Sequence, residues 1–539
     1  MSSLTNILSV HLRPLWKSYI YAIFFIVITA WIAVKIPELV SRAVNGHLDA
    51  TYTIPMSVIG LGFLQIIVRT CSRLFVFNPA REMEEGLKNQ IFSKLMRATL
   101  PWLQTRQTGD LQSLINSDTG HLRVFIGLGG LQVASFFTLA VFAISKMITI
   151  HATLTLVTLL PLLLAVPLLR IGMPRVMKLN VEQTKLLGSL TSRITETFVN
   201  VHMIQSTASE GSFMGRIAER SDELRILNMR LLRIRLLIFP VLPLLTGVSS
   251  FLVFLYGGYE AISGRLTAGD IIAFTSYVAL LAFPLGIIGM VLAMWQRAEA
   301  ASKRIEVALL AESEKDSGTK LESITPSLEI RNLDFRFREE HELLHRVSLR
   351  VDSGEILGIA GPIGAGKTTL LNLTASLIQP PPNTIFVGGF DITQWNAAQL
   401  RSMVGLVPQT PQLFSVSIRE NLTAGLSPDE SDIWKALDLA CIRQDIEALP
   451  ERLETPIGER GIRLSGGQKQ RLALARQLLR ETPILLLDDV ISAVDQITEE
   501  RILAGLRALN RTVVLVTHRE SALLNCDRVL RLGGTHEIA

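Results

Sequence analysis

Residues Glu355–Thr369 read EILGIAGPIGAGKTT, a short apolar run followed by a glycine-rich turn that ends in Lys-Thr-Thr. The run has the composition of a buried strand. The turn matches the spacing G-x-x-x-x-G-K-[ST] in the strand–loop–helix setting that its chemistry requires. Gly361, Gly364 and Gly366 let backbone N–H groups close around phosphate oxygens, and a helix opening at Lys367 turns its positive end toward the same anion. Lys367 is placed to neutralise the outer phosphates of ATP. The Thr368 hydroxyl can reach Mg2+, with Thr369 beside it at the helix start. From Leu328 onward strands and helices alternate, so the turn belongs to an α/β domain with a parallel sheet that binds its ligand at the strand C-termini.

Other strand ends supply the remaining parts of such a site. PILLLD closes on Asp488, the expected holder of Mg2+ and its waters, and Asp489 follows in the place of the carboxylate that polarises the attacking water. ATP-hydrolysing proteins usually carry Glu at that second position, and Asp is one methylene shorter. Gln409, in VGLVPQTPQLF, follows a short strand and can sense Mg2+ and the attacking water; His518 ends VVLVTHRES at the same sheet edge. The segment LSGGQKQR, Leu464–Arg471, places the small residues Ser465, Gly466 and Gly467, then Gln468, ahead of a second helix. That is another phosphate-binding N-terminus. One chain scarcely needs two, which suggests ATP shared between two subunits.

The chain before about residue 300 is of another kind. Of 539 residues, 48% are apolar, and the mean hydropathy of +0.36 is too high for a wholly soluble protein. A helix needs about 20 apolar residues to cross the hydrocarbon core. Runs of that kind occur near 18–40, 54–77, 125–148, 149–172, 237–261 and 271–295, so six transmembrane helices are expected. They are joined alternately by short links and by two long excursions. The excursions are basic, with Arg81, Lys88, Lys94, Arg97, Arg106 and Arg123 in the first and a similar set from Arg175 to Arg235 in the second. The short links hold only Arg42 and Arg265. By the positive-inside rule the excursions are cytoplasmic, and the second is expected to prolong its spans as long helices. Lys35, Lys146 and His151 lie near span ends, where snorkelling suffices; Arg69, Arg73 and Gln132 are candidates for a substrate path.

Some function classes fall away. The net charge of +5 lacks the clustered Lys/Arg with interleaved aromatics that a nucleic-acid partner would want, so none is expected. Cys71, Cys441 and Cys526 lie far apart and form no CxxC pair, which disfavours a disulfide framework or a zinc site. The N-terminus lacks the pattern of a cleaved signal. The expected domains are 1–310, six spans with two excursions; 311–327, a polar linker; and 328–539, the nucleotide-binding domain.

These motifs, with TPIGERG at 455–461, SAVD at 492–495 and TH at 517–518, resemble the ATP-binding cassette (ABC) transporters. The likeness is to half-transporters of the type I exporter class (multidrug/lipid exporter-like), and it covers nearly the whole chain. It implies a membrane all-α domain of six transmembrane helices followed by an α/β P-loop nucleotide-binding domain, in a bacterial inner membrane with the nucleotide domain cytoplasmic. It implies further that Phe337 stacks on adenine, that Ser465 and Gly467 contact the γ-phosphate held by the opposite subunit, that Asp495 lies across the dimer interface and that Glu459 lies near the coupling segments. TGDLQSLINSDTGHLR, at 108–123, looks like the first of those segments. Asp489 departs from the family's Glu; such an exchange often marks the weak member of a heterodimer, and an active homodimer is the other reading. The expected function is ATP-driven export with a second half-transporter as partner, in a lipid setting, of a small-molecule, lipid or peptide cargo. Import of a siderophore-type cargo and an ATP-gated regulatory subunit are the alternatives.

Overall fold

The computed structural model describes residues 3–46, 50–238, 240–313, 324–336, 342–458 and 464–533. The chain forms two compact units, Met1–Met96 with Gln107–Leu310 and Arg97–Arg106 with Ala311–Ala539. The described residues of the six apolar runs are almost all helical.

In the first unit the helices are α1 (Ser3–Leu12), α2 (Trp16–Val44), α3 (Ala50–Met96), α5 (Thr108–Ile150), α6 (Ala152–Val199), α7 (Glu210–Ile238), α8 (Val241–Ile262) and α9 (Ala268–Leu309). As expected of the second excursion, α6 runs on far past its apolar part, and α7 leads back into α8 as a charged helix. The unit buries Phe274 and Tyr277 of α9 against Met147, Leu154 and Val253. The Tyr277 hydroxyl donates to the Val34 carbonyl at 3.2 Å, so this buried polar group is satisfied inside the unit. Large apolar side chains such as Phe63, Val141 and Leu156 stay exposed, as suits helices whose outer solvent is lipid. The Thr267 side chain caps α9 with Asp270 in a reciprocal box, and Asn45 reaches across to hold both Thr267 and the Gly269 amide. Lys35 and Lys146 do not merely snorkel. Both pair with Glu38, at 2.8 and 3.0 Å, tying α5 to α2.

Two wide π-type turns, Leu114–Asp118 and Phe125–Gly129, interrupt α5. The first carries Asp118, whose side chain is 2% exposed and pairs with Arg304 of α9. The 108–123 stretch, expected to couple, belongs to this membrane unit; the part of the first excursion that packs with the nucleotide unit is Arg97–Arg106. Its short helix α4 (Leu100–Gln104) follows a bridge from Ala98 to Ser313, and the Thr99 amide donates to the Glu312 carbonyl at 3.0 Å.

The second unit holds two sheets. β1 (Leu328–Arg336), β2 (Glu342–Val351), β4 (Ile385–Val387) and β5 (Phe390–Asp391) pair antiparallel in the order β2-β1-β4-β5. β3 (Ile356–Ala360), β6 (Val404–Val407), β7 (Ile484–Asp488), β8 (Thr512–Val516) and β9 (Arg528–Arg531) form a parallel sheet ordered β6-β7-β8-β3-β9. β3, β7 and β8 are buried at every residue. That explains why they read as unbroken apolar runs and not as alternating patterns. Helices α10 (Lys367–Thr374), α11 (Gly466–Leu479) and α12 (Gln496–Ala508) complete the parts that bear on the site.

Arg304 is mostly exposed while Asp118 is not, so removing the cation strands a buried carboxylate. Arg304→Ala is expected to destabilise the membrane unit by about 1–3 kcal/mol, read as a lower unfolding temperature of the detergent-solubilised protein. Arg304→Lys should recover part of the loss.

Candidate functional site

The sheet order decides the site. β6, β7, β8 and β3 are parallel neighbours, so the residues that follow their C-terminal ends share one edge. Gln409 leaves β6, Asp488 ends β7 with Asp489 directly after it, His518 leaves β8 and the glycine-rich turn leaves β3. Residues more than 150 positions apart in sequence are thereby brought together. Gly364 and Gly366 have φ of 86° and 85°, left-handed conformations that favour glycine. At Gly366 a side chain would also meet Leu344 Cδ2 at 2.7 Å.

Lys367 opens α10 with its side chain folded back over the turn. The ammonium group donates to the carbonyls of Gly361 (2.8 Å) and Pro362 (2.9 Å), and the residue is 8% exposed. Asp488 is 3% exposed. Burial raises its carboxyl above the ordinary range and the neighbouring Asp489 adds to this; the Thr368 hydroxyl bond and Lys367 oppose it. Asp489 adopts φ 50°, a left-handed conformation that Asp tolerates better than most residues. Its carboxylate lies 3.5 Å from Gln409 Nε2, at the outer limit of a hydrogen bond. His518 is exposed.

The LSGGQKQR turn is built as a helix start. Ser465 caps α11, accepting from the Gln468 amide, while the Gln468 side chain accepts from the Ser465 amide. This is the reciprocal box its sequence encodes. Gln468 also donates to Asp445 at 2.9 Å. Gly467 packs so closely on the next loop that a side chain there would meet the Ala493 carbonyl at 2.6 Å. Ser465 and Gly466 are exposed. The neighbours of this turn, Asp445 and Ala493, differ from those of the Gly361–Lys367 turn, which are Leu343, Leu344 and Leu532. Asp495 caps α12 through the Thr498 amide and hydroxyl, and those bonds lower its carboxyl.

Two linkages went unassigned in the sequence. Gln470, inside LSGGQKQR, donates to the backbone carbonyls of Gln409 (3.2 Å) and Asp489 (3.5 Å), so α11 braces the sheet edge that carries them. Arg519, next to His518, donates to Glu499 and to the Ser492 carbonyl, both at 2.7 Å, and Glu499 is fully buried and also bonded by Ser521. The charged pair Glu499 and Arg519 was visible as residue types, but nothing in their spacing announced the contact. Phe337 and Glu459 lie outside the described residues. In the membrane unit, Arg69, Arg73 and Gln132 all line one cavity.

The chain matches the family model "ABC transporter transmembrane region" over residues 19–285 and the model "ABC transporter" over residues 344–492. Among curated proteins it is similar to the multidrug resistance-like ATP-binding protein MdlA of Escherichia coli (strain K12), at 29% identity over 98% of this chain and 92% of that one. It is also similar to the uncharacterized ABC transporter ATP-binding protein YknU of Bacillus subtilis (strain 168), at 30% identity over 89% of this chain and 85% of that one. A solved structure of a bacterial Atm1-family ABC exporter with ATP bound shares the fold, with a TM-score of 0.77 at 24% identity over 96% of this chain and 94% of that chain.

A carboxyl raised by burial favours the nucleotide-free fold below the ordinary carboxylate range and loses that contribution as pH rises through the raised value. Asp488→Asn removes the charge while keeping the shape. It is expected to raise the unfolding temperature of the nucleotide-free protein at pH 7 by about 2 °C or more, as read by scanning fluorimetry, and to abolish Mg-dependent ATP hydrolysis.

Proposed function

The chain belongs to the ABC transporters, and on that premise we propose that it is the slow-site member of a heterodimeric exporter that drives an amphipathic cargo out across the inner membrane. It is an ATPase of exporter architecture, multi-pass in the membrane, with the nucleotide domain on the cytoplasmic side, and proteins of this kind work as dimers. The multidrug-like name of the relative MdlA supports a cargo of broad chemistry.

The observation that carries the reading is the separation of two phosphate-binding turns within one nucleotide unit. The Gly361–Thr368 turn gathers Asp488, Asp489, Gln409 and His518 at its own sheet edge. Ser465, Gly466, Gly467 and Gln468 start a helix with other neighbours, and the exposed Ser465 and Gly466 are placed to complete the site of a partner. ATP held by Lys367 and the glycine amides of one subunit is then closed by the Ser465 turn of the other. Closure of two such sites reshapes the membrane helices, and hydrolysis resets them. Residues 1–310 apart from Arg97–Arg106 serve as membrane domain, 311–327 as linker and 328–539 as nucleotide domain, with Phe337 against the adenine.

Mg2+ fits the oxygens available. Thr368, Asp488 and Gln409 offer hard donors, and no group of three or more His, Cys, Asp or Glu suited to a metal occurs among the described residues. A few protein ligands completed by phosphate oxygens and water suit Mg2+ better than a closed protein cage would. When bound, the ion neutralises charge on the phosphates. Asp489 orients the water, and its short side chain stands back from the attack position by about 1 Å, a misplacement that can cost on the order of 10²-fold in rate.

Asp489→Glu is therefore expected to raise phosphate release by the purified dimer by about 10- to 100-fold; an unchanged rate would mean that Asp serves as well and that the slow-site assignment is wrong. Lys367→Ala should remove ATP binding at this subunit, seen by equilibrium binding of a fluorescent ATP analogue. Inside-out membrane vesicles should accumulate a cargo dye only with hydrolysable ATP, and uptake in the opposite orientation would reverse the proposed direction.

A further inference from the structure

A cavity of about 1360 Å3 opens in the membrane unit between α2, α3, α5 and α9. Its wall is largely aliphatic and aromatic, with Phe77, Phe136 and Trp295 among the rings. Into that wall α3 sets a polar stripe of Gln65, Arg69, Ser72 and Arg73, spacings that share one helix face. Gln132 of α5 lines the same space, and no Asp or Glu does among the described residues.

Five cations of this unit share two carboxylates. Lys35, Arg42 and Lys146 converge on Glu38, and Lys88 and Arg123 on Glu84. Neither the Arg69 nor the Arg73 guanidinium has a hydrogen-bond or ion-pair partner among the described residues; Ser72 donates to the Arg69 backbone carbonyl alone. Uncompensated charge at membrane depth is costly and marks a path or a site. Arg69 lies about 28 Å along α3 from Ala50 at 1.5 Å per residue. With the excursion after α3 cytoplasmic, both guanidinium groups sit toward the inner leaflet. Planar forks of N–H donors match carboxylate and phosphate oxygens.

We propose that this cavity reads an anionic amphiphile. Its carboxylate or phosphate head is held by Arg69 and Arg73, with Gln132 as an additional donor, and its apolar body lies against Phe77, Phe136 and Trp295. That the ligand is cargo rests on the export reading above; that it binds does not.

The assembled full-length dimer, nucleotide-free in phosphatidylcholine nanodiscs at pH 7.5, is titrated with 11-(dansylamino)undecanoic acid and with its neutral primary amide. The acid is expected to bind at least about tenfold more tightly than the amide, the scale of a charge-assisted hydrogen bond. The double variant Arg69→Gln/Arg73→Gln should lose that preference by weakening the acid alone, whereas Arg69→Lys/Arg73→Lys should keep the acid ahead. Equal affinities in the unaltered protein overturn the proposal, and this includes the case in which a carboxylate of the partner subunit neutralises the arginines. A preference that survives both Gln substitutions overturns it as well. If the double variant does not fold, the acid-against-amide comparison in the unaltered protein still decides. Nanodiscs containing phosphatidylglycerol then separate the sources: displacement of the acid supports a lipid headgroup as the anion, and undiminished binding supports a free amphiphile. Acid-selective binding without ATP-driven transport would retain the anion site and sink the export reading.

Discussion

Lys367 is an ammonium group with little water around it, and its described acceptors are two carbonyl oxygens of the turn that precedes it. An ionised amine in such surroundings must be paired, because burying it alone costs far more than a hydrogen bond returns. The carbonyls of Gly361 and Pro362 satisfy it without a ligand. Phosphate oxygens offer the stronger, charge-assisted alternative. The turn is held ready for that exchange by left-handed glycines and by its seat on β3, buried along its whole length.

Asp488 carries the opposite problem. Its carboxyl is buried beside a second carboxyl and is balanced only in part by Thr368 and Lys367. The nucleotide-free unit thus holds a destabilised acid at the place where a cation would be most strongly attracted. Around it, the backbone is fixed from two sides. Gln470 ties the ends of β6 and β7 to the helix that begins at Ser465. Arg519 ties the segment after β8 to Glu499 on α12 and to the loop at Ser492. The helix that starts at Ser465 and the segment around Asp495 are thus joined to the phosphate-binding edge by direct hydrogen bonds.

The membrane unit solves its electrostatics differently. Its carboxylates are shared among several cations, as at Glu38 and Glu84, or sunk into packing, as at Asp118. The Arg69 and Arg73 guanidinium groups are without a described partner and both line the apolar cavity. Planar N–H donors set bare in an apolar wall are suited to the oxygens of an anion.

Much of this was legible before any coordinates. Apolar runs long enough to span a bilayer become helices because backbone groups in lipid have no other partner. Gly361–Thr369, Asp488, Gln409 and His518 announced themselves because each follows a buried strand, and strand C-termini share an edge in a parallel sheet. The capping box at Ser465 is equally local: serine and glutamine three apart bond each other's backbone. What sequence could not decide was pairing between distant side chains. Glu38 gathering Lys35 and Lys146, Gln470 bracing Gln409 and Asp489, Arg519 meeting Glu499, and Arg69, Arg73 and Gln132 lining one cavity all join segments whose separation carries no periodic signal. Those contacts are set by how helices and strands pack, and packing depends on the whole surface of each element, not on any one spacing along the chain.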